Sequence, residues 1–107
     1  MADIVVKYWK EGKHILVESG LWDCFLKNES LNPMINWINL HSGDIKEGKP
    51  CRGEDRINDV VYVSIYGNLM IRTDRDVVFL SKEHVDQFVH WLNEHRTVLN
   101  IKEVVVL

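Results

Sequence analysis

The sequence predicts an α+β domain: a mainly antiparallel sheet carrying a short helix near 33–42 and a longer helix near 82–96. Three observations lead there. Short β-rich runs follow one another with only turn residues between them, at 3–9 and 14–18 and again at 60–66, 69–73 and 77–80. Helical periodicity appears in two isolated places. Strands therefore come in runs and do not alternate regularly with helices, which is the order of an α+β domain and not of a parallel α/β one.

The opening runs DIVVKYW and HILVE are separated by Lys10-Glu11-Gly12-Lys13, a glycine-bearing connection of hairpin length, and LWDCFL at 21–26 extends the same sheet. Asn32 then reads as a helix cap, Pro33 as the first helical residue and Gly43 as the stop. Met34, Ile35 and Ile38 form the buried face of this helix, with Trp37 on one flank. Residues 43–59, GDIKEGKPCRGEDRIND, mix both signs of charge with three glycines and one proline, so they read as one long loop.

The stretch VVYVSIY, Gly67-Asn68, LMIRT is a pair of strands about a two-residue turn, and VVFL at 77–80 completes a three-stranded meander. Ser81 caps the next helix and Glu83 sits in its first turn, where the helix dipole favours an acid. Val85, Phe88, Val89 and Leu92 fall within an arc of roughly 100° and form its core face. The terminal run IKEVVVL, 101–107, reads as a last strand. Left unpaired it would be an associating edge, so it either joins its own sheet or pairs with a second copy as a homodimer.

At 107 residues, 46% hydrophobic and 27% charged, the chain suits a single globular domain spanning 1–107. The formal charge of −3 disfavours a protein that coats nucleic acid or anionic membrane by bulk electrostatics. No apolar run is long enough to span a bilayer. The N-terminus lacks the apolar stretch of a secretory signal, and Cys24 and Cys51 are too few for a disulfide scaffold, so the expected location is cytoplasmic.

The segment HVDQFVHWLNEH gathers three of the five histidines, and metal binding is the first chemistry to test there. His84 and His95 share an azimuth but lie roughly 16 Å apart along the axis, while His90 points to the opposite side. None is one helical turn from another, as a helical zinc site requires, and neither His14 nor His41 completes such a motif. Neither cysteine sits in a nucleophile signature: Cys24 reads as a small buried hydrophobe, and Cys51, beside Arg52, as the more reactive thiol. Gly48-Lys49 is followed by proline, which rules out a phosphate-binding loop. No catalytic residue, metal or cofactor is expected.

The leading expectation is a small non-enzymatic protein-binding module, with an inhibitor or accessory factor of phage or mobile-element type as its biological setting. Its expected contact residues are Trp91 with His84 and His95 along one flank of the second helix, since tryptophan is enriched among binding hot spots. Lys46, Lys49, Arg52 and Arg56, in the charged loop, are expected to face an acidic partner surface. One alternative is a single-stranded nucleic-acid binder: the meander and Ser-capped helix over 60–95 resemble single-stranded-DNA-binding transcriptional coactivators, and Tyr62 and Tyr66 would share a face with Ser64 for base stacking. A small enzyme or small-molecule binder is the other.

Overall fold

The computed structural model describes residues 4–9 and 13–101, without the side chains of Tyr8 and Trp9. Seven strands form one antiparallel sheet: β1 (Val5–Trp9), β2 (His14–Ser19), β3 (Trp22–Lys27), β4 (Cys51–Asp55), β5 (Val60–Ile65), β6 (Asn68–Arg72) and β7 (Val77–Ser81). Their order across the sheet is β1-β2-β3-β7-β6-β5-β4. Three helices, α1 (Asn28–Leu40), α2 (Ser42–Glu47) and α3 (Lys82–Glu94), are the other elements among the described residues. The expected α+β architecture with a mainly antiparallel sheet is the one observed.

The sheet is two sub-sheets with a narrow join. The N-terminal β1-β2-β3 hairpins and the β7-β6-β5-β4 meander meet through a single register pair, Asp23 with Val77. Where the ladder stops, the Asp76 carboxylate takes over as acceptor: its Oδ2 receives the Phe25 N–H at 3.2 Å, and its Oδ1 receives the Thr73 hydroxyl. A side chain thereby satisfies a backbone donor that the diverging strands would leave without a partner.

All buried strand residues share one parity, and the helices cover that face. Ile15, Val17, Cys24, Leu26, Tyr62, Leu69, Ile71, Val78 and Leu80 pack against Leu31, Met34, Ile35 and Ile38 of α1 and Val85, Phe88, Val89 and Leu92 of α3. α3 lies on β6 and β7 as its apolar arc requires, and Ser81 caps it by accepting the His84 N–H at 3.4 Å. It ends at Glu94, with His95 as its C-cap. Turns follow, burying Leu99 and Ile101. The expected terminal strand, 101–107, otherwise lies outside the described residues, as does most of the 10–13 connection.

Two helix boundaries differ from expectation. Helix α1 starts at Asn28, not Pro33, because Ser30 Oγ donates to Lys27 O at 2.7 Å and the Asn28 N–H to Lys13 O at 2.8 Å, which ties the first turn to β2. Pro33 therefore sits inside the helix, on its exposed side, and one intrahelical hydrogen bond is missing there. Gly43 does not end the helical region, since Ile45 is drawn into the core at 2% exposure and α2 forms around it. The stop is Gly48, left-handed at φ 75°, whose following Lys49 N–H returns to Asp44 O at 2.9 Å.

The segment 43–59 is not one loop, for it also contains β4, which pairs along its length with β5. Its charges hid it. An edge strand tolerates Arg52 and Glu54 because its outer face stays in water. The β5–β6 turn is also one residue earlier than expected: Ile65 pairs with Asn68, leaving Tyr66 (φ 54°) and Gly67 (φ 79°) as the two left-handed residues of the primed turn that strand twist favours.

Candidate interaction surface

The meander strands carry apolar residues on both parities. A sheet with one wet face reads as strict alternation, whereas a sheet buried on both faces reads as continuous apolar runs. Here Val60-Val61-Tyr62-Val63, Leu69-Met70-Ile71 and Val77-Val78-Phe79-Leu80 are continuous. The helices cover the residues of one parity only.

On the other face the register aligns Arg52, Val63, Met70 and Phe79 in one cross-strand row. A second row runs Glu54, Val61, Arg72, Val77, Asp23. Ile65, at 41% exposure, and Phe79, at 39%, stand above half-buried Val61, Val63, Met70 and Val77. Trp22, 49% exposed, lies edge-on to Phe79 with ring centroids 4.8 Å apart. Together these side chains line the sheet face opposite the one on which the described helices pack, bordered by charge. Scattered exposed hydrophobes mean little, but a contiguous apolar patch rimmed by polar residues marks an interaction site.

The residues expected to bind fall in several places. Trp91 is half-buried and packs against the core, and its ring stacks on His95 at 4.2 Å between centroids, with His95 Nδ1 2.8 Å from Trp91 O. His84 is half-buried at the other end of α3. Exposed His90 pairs with Glu94 at 3.1 Å. The four basic residues do not act as one loop. Lys46 lines a cleft of about 350 Å³ with Asp86 and His90, floored by Ile38, Ile45, Val85 and Val89. Lys49 is held by Glu47 at 2.8 Å, which raises its pKa and lowers that of the glutamate. Arg56 lies on Glu54 at 3.1 Å, and Arg52 alone of the four joins the open sheet face.

A stacking platform of Tyr62, Ser64 and Tyr66 is not formed. Tyr62 and Ser64 point into the core at 2% and 0% exposure, and Tyr66 occupies the turn. Tyr62 packs under Trp37 with centroids 5.2 Å apart, and burial followed by the nearby Asp55 charge pushes its pKa well up.

The thiols sit where nucleophilic chemistry is disfavoured. Burial, then the Asp76 and Asp23 charges, push Cys24 up to about 12. Cys51 is half-buried on β4 and not in an open loop, and burial raises its pKa as well despite a hydrogen bond with Ser64. Among the described residues no group of three His, Cys, Asp or Glu side chains converges as a metal site, and no helix is long and apolar enough to cross a membrane.

Sequence reasoning missed the open face, although its signal was present in the unbroken apolar runs. No protein-family model matches the chain, and no curated protein or solved structure matches it.

Proposed function

We propose that this chain is a non-enzymatic protein-binding module, an inhibitor or accessory factor, whose contact surface is the open face of β5, β6 and β7. The supporting observation is that meander sequence with the two-sided apolar pattern of a doubly covered sheet has only one side covered among the described residues. A partner would supply the second layer. Self-association, expected from the apolar run 101–107, is one form such binding takes. Raised thiol pKa values at both cysteines support the non-enzymatic part of the reading.

Phe79→Asp places a charge at the centre of the surface without touching the helix-covered core. The test is side-by-side affinity purification of wild-type and Phe79→Asp protein from host lysate, after circular dichroism shows equal folding. A protein retained by the wild type and lost by the variant is the expected result. Nuclease-sensitive absorbance at 260 nm on both baits would instead favour the nucleic-acid alternative.

A further inference from the structure

We infer that β4, the strand at one end of the sheet, pairs edge to edge and antiparallel with β4 of a second copy of this chain, about a two-fold axis through Gly53. This surface is separate from the open face of β5, β6 and β7.

The direction of each backbone group along β4 follows from the turns of the meander. The two-residue β5–β6 turn makes Ile65 and Asn68 a hydrogen-bonded closing pair, and the Thr73 N–H to Asp76 O bond, 2.9 Å, closes the β6–β7 hairpin on the opposite parity of β6. Ile65, Val63 and Val61 therefore direct their N–H and C=O groups to β6, while Ser64, Tyr62 and Val60 direct theirs to β4. In the β4–β5 register those three meet Cys51, Gly53 and Asp55. Arg52 and Glu54 are left with their N–H and C=O groups pointing out of the edge. No strand lies beyond β4 among the described residues, and none of these backbone groups has a partner there.

Hydrogen bonding and charge select the same register. An antiparallel two-fold that uses the outward groups sets Arg52 opposite itself, Glu54 opposite itself, or each opposite the other with Gly53 on the axis. The first two oppose like charges, which destabilises a strand pair. The third sets Arg52 against the partner's Glu54 and Glu54 against the partner's Arg52. Each pair exchanges both its N–H···O=C bonds, so every outward group of Arg52 and Glu54 is used. Arg52 is exposed and takes no part in an ion pair among the described residues, and Arg56 engages only Oε1 of Glu54, at 3.1 Å. Charges of one sign along an edge keep strands apart, whereas this edge carries one of each, placed symmetrically about a glycine.

Gly53 suits the axis. It falls in the non-hydrogen-bonded position, where facing Cα atoms approach to ~4.5 Å, and its helix side is already occupied by Trp37. The two half-buried Trp37 rings then flank the seam on one side of the joined sheet, and the open faces of both copies lie on the other side as one surface. A five-residue edge buries less than the ~800 Å² per partner of a standard interface, so the dimer is weak and reversible, with a dissociation constant on the order of 0.1 millimolar.

The experiment is sedimentation equilibrium from the low-micromolar to the near-millimolar range on full-length wild type, Arg52→Glu, Glu54→Arg, an equimolar mixture of those two, Glu54→Pro and Phe79→Asp, with folding checked by circular dichroism. The wild type is expected to dimerise. Each reversal opposes like charges at both pairs and weakens its homodimer by about tenfold or more. Mixed, the two variants regain opposite charges at both pairs, so a heterodimer of wild-type strength forms. Glu54→Pro removes an outward N–H and no bond to β5, a change an edge strand tolerates, so it folds and stays monomeric. Phe79→Asp, on the open face, dimerises like wild type. Should any β4 variant unfold the domain, Arg52→Gln and Glu54→Gln decide in its place, each weakening the dimer and their mixture restoring one of the two pairs. Wild type that stays monomeric overturns the inference and leaves the open face untouched as a binding surface. A dimer that survives Glu54→Pro, that ignores the reversals, that fails to recover on mixing, or that is lost in Phe79→Asp overturns the edge as the contact.

Discussion

The Trp37 indole lies directly against the backbone of Gly53, so close that a Cβ there would stand 2.1 Å from Nε1. The glycine is thus a seat for the tryptophan that joins α1 to edge strand β4. Gly53→Ala must displace the ring or the strand, and overpacking of this kind costs about 1–3 kcal/mol. In a Trp37→Leu background the same substitution should cost much less, because the clash is gone. Urea unfolding of the two singles and the double variant measures this coupling, and strict additivity would contradict it.

Asp76 is expected to hold the two sub-sheets together. Asp76→Ala removes the carboxylate that accepts the Phe25 N–H and the Thr73 hydroxyl at the join, leaving Thr73 only the backbone oxygen of residue 76, and loss of hydrogen bonds to a charged acceptor costs about 1–3 kcal/mol. Hydrogen exchange should quicken at Phe25 well before the β5–β6 ladder is affected. Uniform acceleration across the sheet would show that the carboxylate is not the local fastener.

Cys24 predicts alkaline sensitivity. Its folded pKa is raised from 9.0 to about 12, so between those values the unfolded chain loses a proton that the folded chain keeps, and stability falls as pH rises through this window. Below the lower value the thiol is protonated in both states and contributes no slope. Cys24→Ala should flatten the decline in unfolding midpoint above pH 9.0. In native protein, alkylating reagents should modify Cys51 before Cys24, because Cys51 is only half-buried. Equal rates would contradict the placement of Cys24 in the core.

Trp91→Ala is expected to act on stability, since the ring packs on the core and on His95. Truncating a large, partly buried aromatic costs about 3 kcal/mol. His90→Ala removes only an exposed pair with Glu94 and should stay within about 0.5 kcal/mol of wild type. If Trp91→Ala instead melts normally and abolishes binding, the α3 flank and not the sheet face is the contact surface.

Much of this was legible in the sequence because local pattern and tertiary role coincide. The core face of α3, its Ser81 cap and the meander all follow from periodicity and turn chemistry. What escaped was set by distant contacts. α1 starts at Asn28 because Lys13, the residue before β2, accepts its N–H, and β4 is a strand because β5 offers it an edge, despite the charged sequence CRGED. Gly53 looked like a loop residue until Trp37 was found above it. Tyr62 and Tyr66 were separated because the primed turn takes Tyr66 out of the strand. The open face was written in the unbroken apolar runs, but only the topology tells which parity the helices leave bare.

The most direct test is methyl and amide NMR as a purified partner is added. Shifts at Val63, Met70, Val77 and Phe79, with Leu40 and Val98 unmoved although both are more exposed than Phe79, are the predicted result. Shifts confined to the α2–α3 cleft around Ile45, Val85 and Val89, with Met70 and Phe79 silent, would contradict the assignment of the open sheet face as the binding surface.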